Sequence, residues 1–168
     1  MHKQTIIQSI DDYKDKLFRF SLKLVGNRFD AEDVLQELLI KIWKKKEDFE
    51  VLENKEAWCM TVVRNLSIDK IRKRKHSTAD ISEHHAISDS APTPDKVAED
   101  KESLSIVMRL LNELPEKQKE IIHLRDIEGY TYKEISDITG LSEDQVKVNL
   151  FRARQKFKEK IKNLNFQR

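Results

Sequence analysis

Residues 131–156, TYKEISDITGLSEDQVKVNLFRARQK, limit the folds open to this chain more than any other stretch. The spacing predicts two helices with a tight turn between them. Tyr132, Ile135 and Ile138 recur every third residue, as one apolar face of a helix does. Gly140 follows, the residue type that enters the left-handed backbone region without a steric penalty. Ser142 is placed to cap a second helix, with Asp144 and Gln145 in its first turn to help with the free amides. In that helix Val146, Leu150, Ala153 and Phe157 are expected to face inward. Lys147, Asn149, Arg152, Arg154 and Lys156 are left on or near the outer surface. A short helix, a glycine turn and a helix with a basic outer face make the helix-turn-helix geometry that enters a major groove. Two amphipathic helices joined at a glycine also occur in ordinary bundles, so spacing alone leaves both open.

The remaining sequence points to helices throughout. Charged residues are 37% of the 168, while Gly and Pro number three each, a profile poorly suited to a sandwich or barrel with its many turns. The net charge of +2 averages over three unlike segments. Residues 1–75 carry 17 Lys/Arg against 13 Asp/Glu, residues 76–103 carry 2 against 7, and residues 104–168 carry 13 against 10. Two basic blocks flank an acidic joint, which suggests two contacts with a polyanion. The lone Cys59 has no partner for an internal disulfide, and neither a signal peptide nor a long apolar run is present. A reducing cytoplasm is the simplest compartment, with Cys59 a small buried group beside Trp58.

In chain order, residues 5–25 read as one helix with Ile6, Ile10, Leu17, Ser21 and Leu24 along an inward stripe, stopped by Gly26-Asn27. Asp30 is the expected N-cap of the next helix. There Ala31, Val34, Leu35, Leu38, Leu39, Ile42 and Trp43 repeat at helical spacing without a break. Acids load its first turns (Asp30, Glu32, Asp33, Glu37) and lysines its end (Lys41, Lys44, Lys45, Lys46), which suits the helix dipole but also suits a docking surface for a large partner. Residues 47–54 read as a loop with Asn54 as the next cap. Phe49 either tucks inward or stays exposed to stack on an unpaired base.

A helix from Lys55 to about Lys75 follows, with Trp58, Val62, Leu66 and Asp69 as one row. Arg64, Lys70, Arg72, Lys73, Arg74 and Lys75 crowd its last dozen residues, more bases than dipole compensation requires and enough for a steep salt dependence on phosphates. Asn65 in mid-helix costs some helix propensity, so it is expected to have a polar task, either a structural hydrogen bond or contact with a base edge. Residues 76–102, rich in Ser, Asp, His, Ala and Pro, read as a flexible linker. His76, His84 and His85 within it lack the cysteines and the spacing of a structural metal site. Beyond it, residues 103–114 form a helix through Leu104, Val107, Leu110, Leu111 and Leu114. Pro115 opens a second, over 116–127, and Gly129 ends that one before the stretch at 131–156. The fold class is all-α: two small helical domains, 1–75 and 103–168, joined by the linker.

With both units placed, the sequence resembles the extracytoplasmic-function (ECF) class of bacterial sigma factors over nearly its whole length. DAEDVLQELLIKIWKK at 30–45 is similar to that family's polymerase-docking helix, and EAWCMTVVRNLSIDKIRKRK at 56–75 to its element for the −10 promoter region. LNELPEKQKEIIHLRDIEGYTYKEISDITGLSEDQVKVNLFRARQKFKEKI at 111–161 resembles its −35 module. The resemblance implies a dissociable initiation subunit without catalysis or cofactor. Its partners would be core RNA polymerase, at the β′ coiled coil and the β flap, and double- and single-stranded promoter DNA. It also implies an anti-sigma factor as inhibitor, of the kind often held at a membrane.

By position, Asp33, Gln36, Glu37 and Ile40 would dock on polymerase. Phe49 and Asn65 would receive a flipped −10 base, with Arg64, Lys70, Arg72 and Arg74 along the strand. At −35, Lys147, Asn149, Phe151 and Arg152 would face the groove, while Arg125, Tyr132, Arg154 and Lys156 hold the backbone. Many family members have Ser-Arg where this chain has Val148-Asn149, which exchanges a guanine-reading side chain for one that favours adenine. The first family helix begins almost at Met1 and four residues follow Leu164, so no added regulatory segment is expected at either end. A stand-alone helix-turn-helix regulator would account for 104–168 but gives the helices over 31–46 and 64–75 no task. For an enzyme, no phosphate loop, metal-spaced His/Cys set or acid–base constellation is present.

Overall fold

A computed structural model describes Gln8, residues 10–77 and residues 98–165, without the side chains of 98–104, 164 and 165. Expectations for Ile6, for the linker at 78–97 with His84 and His85, and for the side chain of Leu104 lie outside that range. Every regular element among the described residues is helical, and the elements fall into two compact units.

The first unit is built on α1 (Lys14–Val25), α2 (Arg28–Lys44), α3 (Lys46–Glu50) and α4 (Lys55–Ser77). The expected single helix over 5–25 is interrupted, because the backbone turns at Asp12–Tyr13, where the Tyr13 N–H reaches the Ile10 carbonyl at 3.1 Å. That tighter closure rotates the helical residues beyond it. Phe20 and Val25 join Leu17 and Ser21 in the core, and Leu24 is only half-buried. Gly26 ends α1 at φ +80°.

Asn27, not Asp30, caps α2: its side-chain oxygen accepts the Asp30 N–H at 2.8 Å and its amide donates to Asp30 Oδ2 at 2.8 Å. Asp30 is the third helical residue of that cap. The stretch expected to be a loop contains the short α3, and Asn54 caps α4 by accepting the Ala57 N–H at 2.9 Å. α4 packs on both α1 and α2, so its buried arc is broad and centred elsewhere than on the expected row. Cys59, Met60, Val63, Leu66 and Ser67 are buried, Trp58 and Val62 are half-buried, and Asp69 is exposed. Ser21 and Ser67 share a buried hydroxyl contact at 3.2 Å, satisfying each other where two helices come close. Fully buried Leu17, Phe20, Val34, Leu38, Ile42 and Met60 each contribute about 1.5–3 kcal/mol of transfer free energy.

The second unit comprises α5 (Ala98–Asn112), α6 (Glu116–Ile122), α7 (Tyr132–Thr139) and α8 (Glu143–Asn165). α5 begins five residues before the expected Ser103, within the stretch read as linker. The helix expected to run to Ile127 changes winding. His123–Ile127 form a π-helical turn, closed where the Glu128 N–H reaches the His123 carbonyl at 3.0 Å. Gly129 follows at φ +81°. Thr131 and Glu134 form a reciprocal capping box on α7, and Ser142 and Gln145 form another on α8, with Gln145 N–H to Ser142 Oγ at 3.2 Å and the return bond at 3.0 Å. The core gathers Leu110, Leu114, Ile121, Leu124, Ile135, Val146, Leu150 and Ala153. Phe157, expected inside, is half-buried.

Candidate docking and nucleic-acid interfaces

On α2 the apolar positions, Ile40 added to the seven of the repeat, form two adjacent stripes, and the fold covers only one. Ala31, Val34, Leu38 and Ile42 are buried, whereas Leu39 is 44% exposed, Ile40 53% and Trp43 55%. Gln36 is exposed on the same outer side. Three large apolar side chains left uncovered beside carboxylates make a surface suited to a partner rather than to water. Leu39 and Trp43 belong to the apolar repeat read from the sequence. The signal for their exposure is the width of the apolar arc, broader than a helix with two neighbours has to bury.

The acidic and basic groups expected to serve different partners are joined to each other. Lys70 on α4 forms an ion pair with Asp33 on α2 and stands 4.0 Å from Glu37. Its hydrogen bond to Asp33 is the main cause that raises the ammonium pKa above the ordinary lysine value. Arg74 donates to the Val25 carbonyl at 2.8 Å and lies 3.5 Å from Asp30. Two of the bases expected on phosphate therefore also tie α4 to its neighbours, whereas Arg72, Lys73 and Lys75 are exposed. Asn65 is exposed and Arg64 half-buried. Asn65 and Arg72, seven residues apart, share one face two turns along the helix. The exposure of Asn65 speaks against a buried structural bond.

Phe49 is a correction. Its ring is 1% exposed and meets Trp58 edge-on, with centroids 5.5 Å apart, so it has no free face for a base. The short α3 turns the ring into the core. Its neighbour Val51 is the side chain that protrudes, at 81% exposure. Cys59 is buried, and burial pushes its thiol up to about 12, which leaves it protonated and inert at neutral pH.

In the second unit the structure brings three of the expected −35 residues together. The Arg125 guanidinium lies 4.8 Å from the Tyr132 ring centroid and the Lys147 ammonium 5.8 Å from it, while Arg125 Nη1 donates to the Tyr130 carbonyl at 2.7 Å. Phe151 is 64% exposed, Val148 46%, and Arg152 and Lys156 are exposed. Val148, Phe151 and Arg152 recur at three- and four-residue spacing, which sets them on one outward face. Asn149 instead bends back, donating to the Gln145 carbonyl of its own helix at 2.8 Å, so one amide proton is already engaged. Arg154 pairs with Asp126 of the π-helical turn through two guanidinium nitrogens, and that bond is the main cause that raises its pKa. Sequence spacing placed Arg154 on the surface but gave no sign of this partner 28 residues away.

The Sigma-70 region 2 family model matches residues 10–77 and the Sigma-70 region 4 model residues 104–157, one on each unit. The ECF RNA polymerase sigma factor SigM of Bacillus subtilis is 32% identical over 157 residues, covering 92% of this chain and 93% of SigM. The chain belongs to the ECF sigma factors. SigW of the same organism is 25% identical over 164 residues, covering 92% of this chain and 88% of its own. Among solved structures, the sigma factor RpoE from Bartonella quintana, crystallised with the anti-sigma factor NepR, superposes with a TM-score of 0.77 at 26% identity, covering 95% of this chain and 98% of that one. CnrH, solved with the cytosolic domain of CnrY, shares the fold at a TM-score of 0.67 and 20% identity. This sigma factor recognises promoters. The match at residues 10–77 gives the first unit a task that a stand-alone helix-turn-helix regulator would not have. Among the described residues no helix is long and apolar enough to cross a membrane.

Proposed function

We propose that this sigma factor docks on core RNA polymerase through the outer side of α2 and reads two promoter elements, one with each helical unit. Gln36, Glu37 and Ile40, together with Asp33, Leu39 and Trp43, form the docking face for the β′ coiled coil. The uncovered apolar stripe on α2 is the observation that carries this assignment. Asn65 takes the exposed edge of a −10 base, Arg64 and Arg72 follow the strand, and Lys70 and Arg74 contribute where they can leave or share their carboxylate and carbonyl partners. Phe49 supports this site from the core as the wall behind Trp58.

At −35, Phe151 and Arg152 enter the groove with Lys147 and Asn149 at its edge. Arg125, Tyr132 and Lys156 meet the backbone, with Arg154 set by Asp126. The units fall at 1–75 and 103–168, with the second helical from Ala98. The chain acts in the cytoplasm and catalyses nothing itself, the chemistry being the polymerase's, whose β flap engages the second unit. An anti-sigma factor covers the same faces until release, a role supported by the similarity to RpoE in its complex with NepR.

Run-off transcription with purified core polymerase tests the proposal. Specific initiation in the presence of this chain is the expected outcome. Asn65→Ala should impair promoter opening while polymerase affinity stays near wild type. DNA binding without initiation would instead favour a stand-alone regulator.

A further inference from the structure

The π-helical turn His123–Ile127 contains a feature that the −35 assignment does not use. His123 and Glu128 are both buried, at 6% and 8% exposure, and His123 Nε2 stands 3.2 Å from Glu128 Oε1. The pair is within ion-pair distance, but the ring N–H points off the line to the oxygen, so the contact is not an aligned hydrogen bond. In an α-helix, residues five apart lie about 140° apart around the axis, too far for both to face one core. Closure from residue i to i+5 brings them to one side, and such turns are often found at functional sites. The buried pair and the unusual winding therefore require each other.

Between the two lies Arg125. The Tyr130 N–H bonds the Leu124 carbonyl at 3.0 Å, and Arg125 closes the segment by donating to the Tyr130 carbonyl at 2.7 Å and covering Tyr132. Asp126, the next residue, holds Arg154 of α8. A return to α-helical winding would remove one residue from the turn and swing Arg125 and Asp126 around the axis by about 100°. Arg125 would then leave Tyr132, and Asp126 would leave Arg154.

We infer that the His123–Glu128 pair is a positioning device that holds the π-helical register and thereby aims Arg125 at the DNA backbone. The inference rests on the proposed placement of Arg125 at the −35 element. The test is a double-mutant cycle between His123→Leu and Arg125→Ala in the full chain assembled with core polymerase. Affinity is measured on the −35 duplex that the wild-type holoenzyme enriches from a random-sequence pool, with thermal unfolding followed in parallel.

Arg125→Ala should weaken binding by about tenfold. His123→Leu should weaken it several-fold in the native background and have little effect once Arg125 is gone, the non-additivity of groups acting through one another. An equal loss in both backgrounds would mean the pair only stabilises the fold, and would overturn the inference while the −35 assignment stands. No loss from Arg125→Ala would overturn that placement of Arg125, and the inference with it. Should His123→Leu fail to fold, Glu128→Gln, nearly equal in shape, completes the same cycle.

Discussion

The two units prepare their charged surfaces in opposite ways. In the first, the bases near the end of α4 are partly consumed inside the unit: Lys70 by Asp33 and Glu37, Arg74 by Asp30 and the Val25 carbonyl. Acids on α2 thus neutralise bases on α4. A partner that engages one of these helices alters the charge balance of the other. In the second unit the outward face of α8 stands ready, with Phe151, Arg152 and Lys156 exposed and Arg125 and Lys147 against one tyrosine ring. Arg154 is committed internally, to Asp126. A duplex groove has a fixed shape and suits a preformed surface. The first unit instead joins its acidic and basic surfaces to each other through ion pairs.

The largest expected effect concerns whether the units unfold separately. Cys59 lies in the first unit, buried and with a raised thiol pKa, so alkylation at pH 8 should report opening of that unit. Leu38→Ala should cost about 2–5 kcal/mol and speed labelling by about thirtyfold or more. Ile135→Ala, in the second unit, should cost similar stability yet leave the Cys59 labelling rate unchanged. Equal acceleration by both would show one cooperative block and remove the basis of the comparison.

Next in size is the contrast between two arginines of α8. Arg152→Ala should reduce holoenzyme affinity for −35 duplex by ~1–3 kcal/mol, whereas Arg154→Ala should cost less than about 1 kcal/mol because Asp126 already holds its guanidinium. Titrations of labelled duplex would rank them, and a reversed order would place the reading face on the other side of the helix.

Gly140 gives a third test, in the turn that α7 and α8 share. Its φ is +73°, and an added Cβ would meet nothing within 4 Å. Gly140→Ala should therefore cost about 1–2 kcal/mol from backbone strain alone, read as a lowered unfolding midpoint, with Gly140→Asn milder.

The smallest effect belongs to the Asp33–Lys70 link. Its side chains are 40% and 23% exposed, so solvent screening limits its worth to about 0–1 kcal/mol. The folded-state pKa of Lys70 is raised, so the link's contribution is full below the ordinary lysine value of about 10.4 and disappears as pH rises through the raised value. Urea midpoints of wild type and Asp33→Asn should differ slightly at pH 8 and converge in the alkaline range. A gap that persisted there would mean that Asp33 stabilises the fold by some contact other than Lys70.

Caps, stops and repeats that depend on neighbours in the chain were legible in the sequence. Gly26, Asn54, Gly140 and Ser142 do what their side chains, or the lack of one, dictate, and the helix-turn-helix follows from them. Which stripe of a helix meets the core was less legible. Leu39 and Trp43 continue the apolar repeat of α2 as regularly as Leu38 and Ile42, and only the positions of α1 and α4 decide which pair is covered.

Local chemistry thus determined that this chain is helical and where most helices start and stop. Tertiary structure alone decided three things: that Phe49 is a core ring, that Lys70 and Arg74 are tied to neighbouring helices, and that His123 and Glu128 face each other across a π-helical turn. The reason is range. A cap or a glycine stop acts over three or four residues. Burial, polar contacts across 28 to 49 residues and the winding of a helix depend on atoms that only folding brings within a few ångströms.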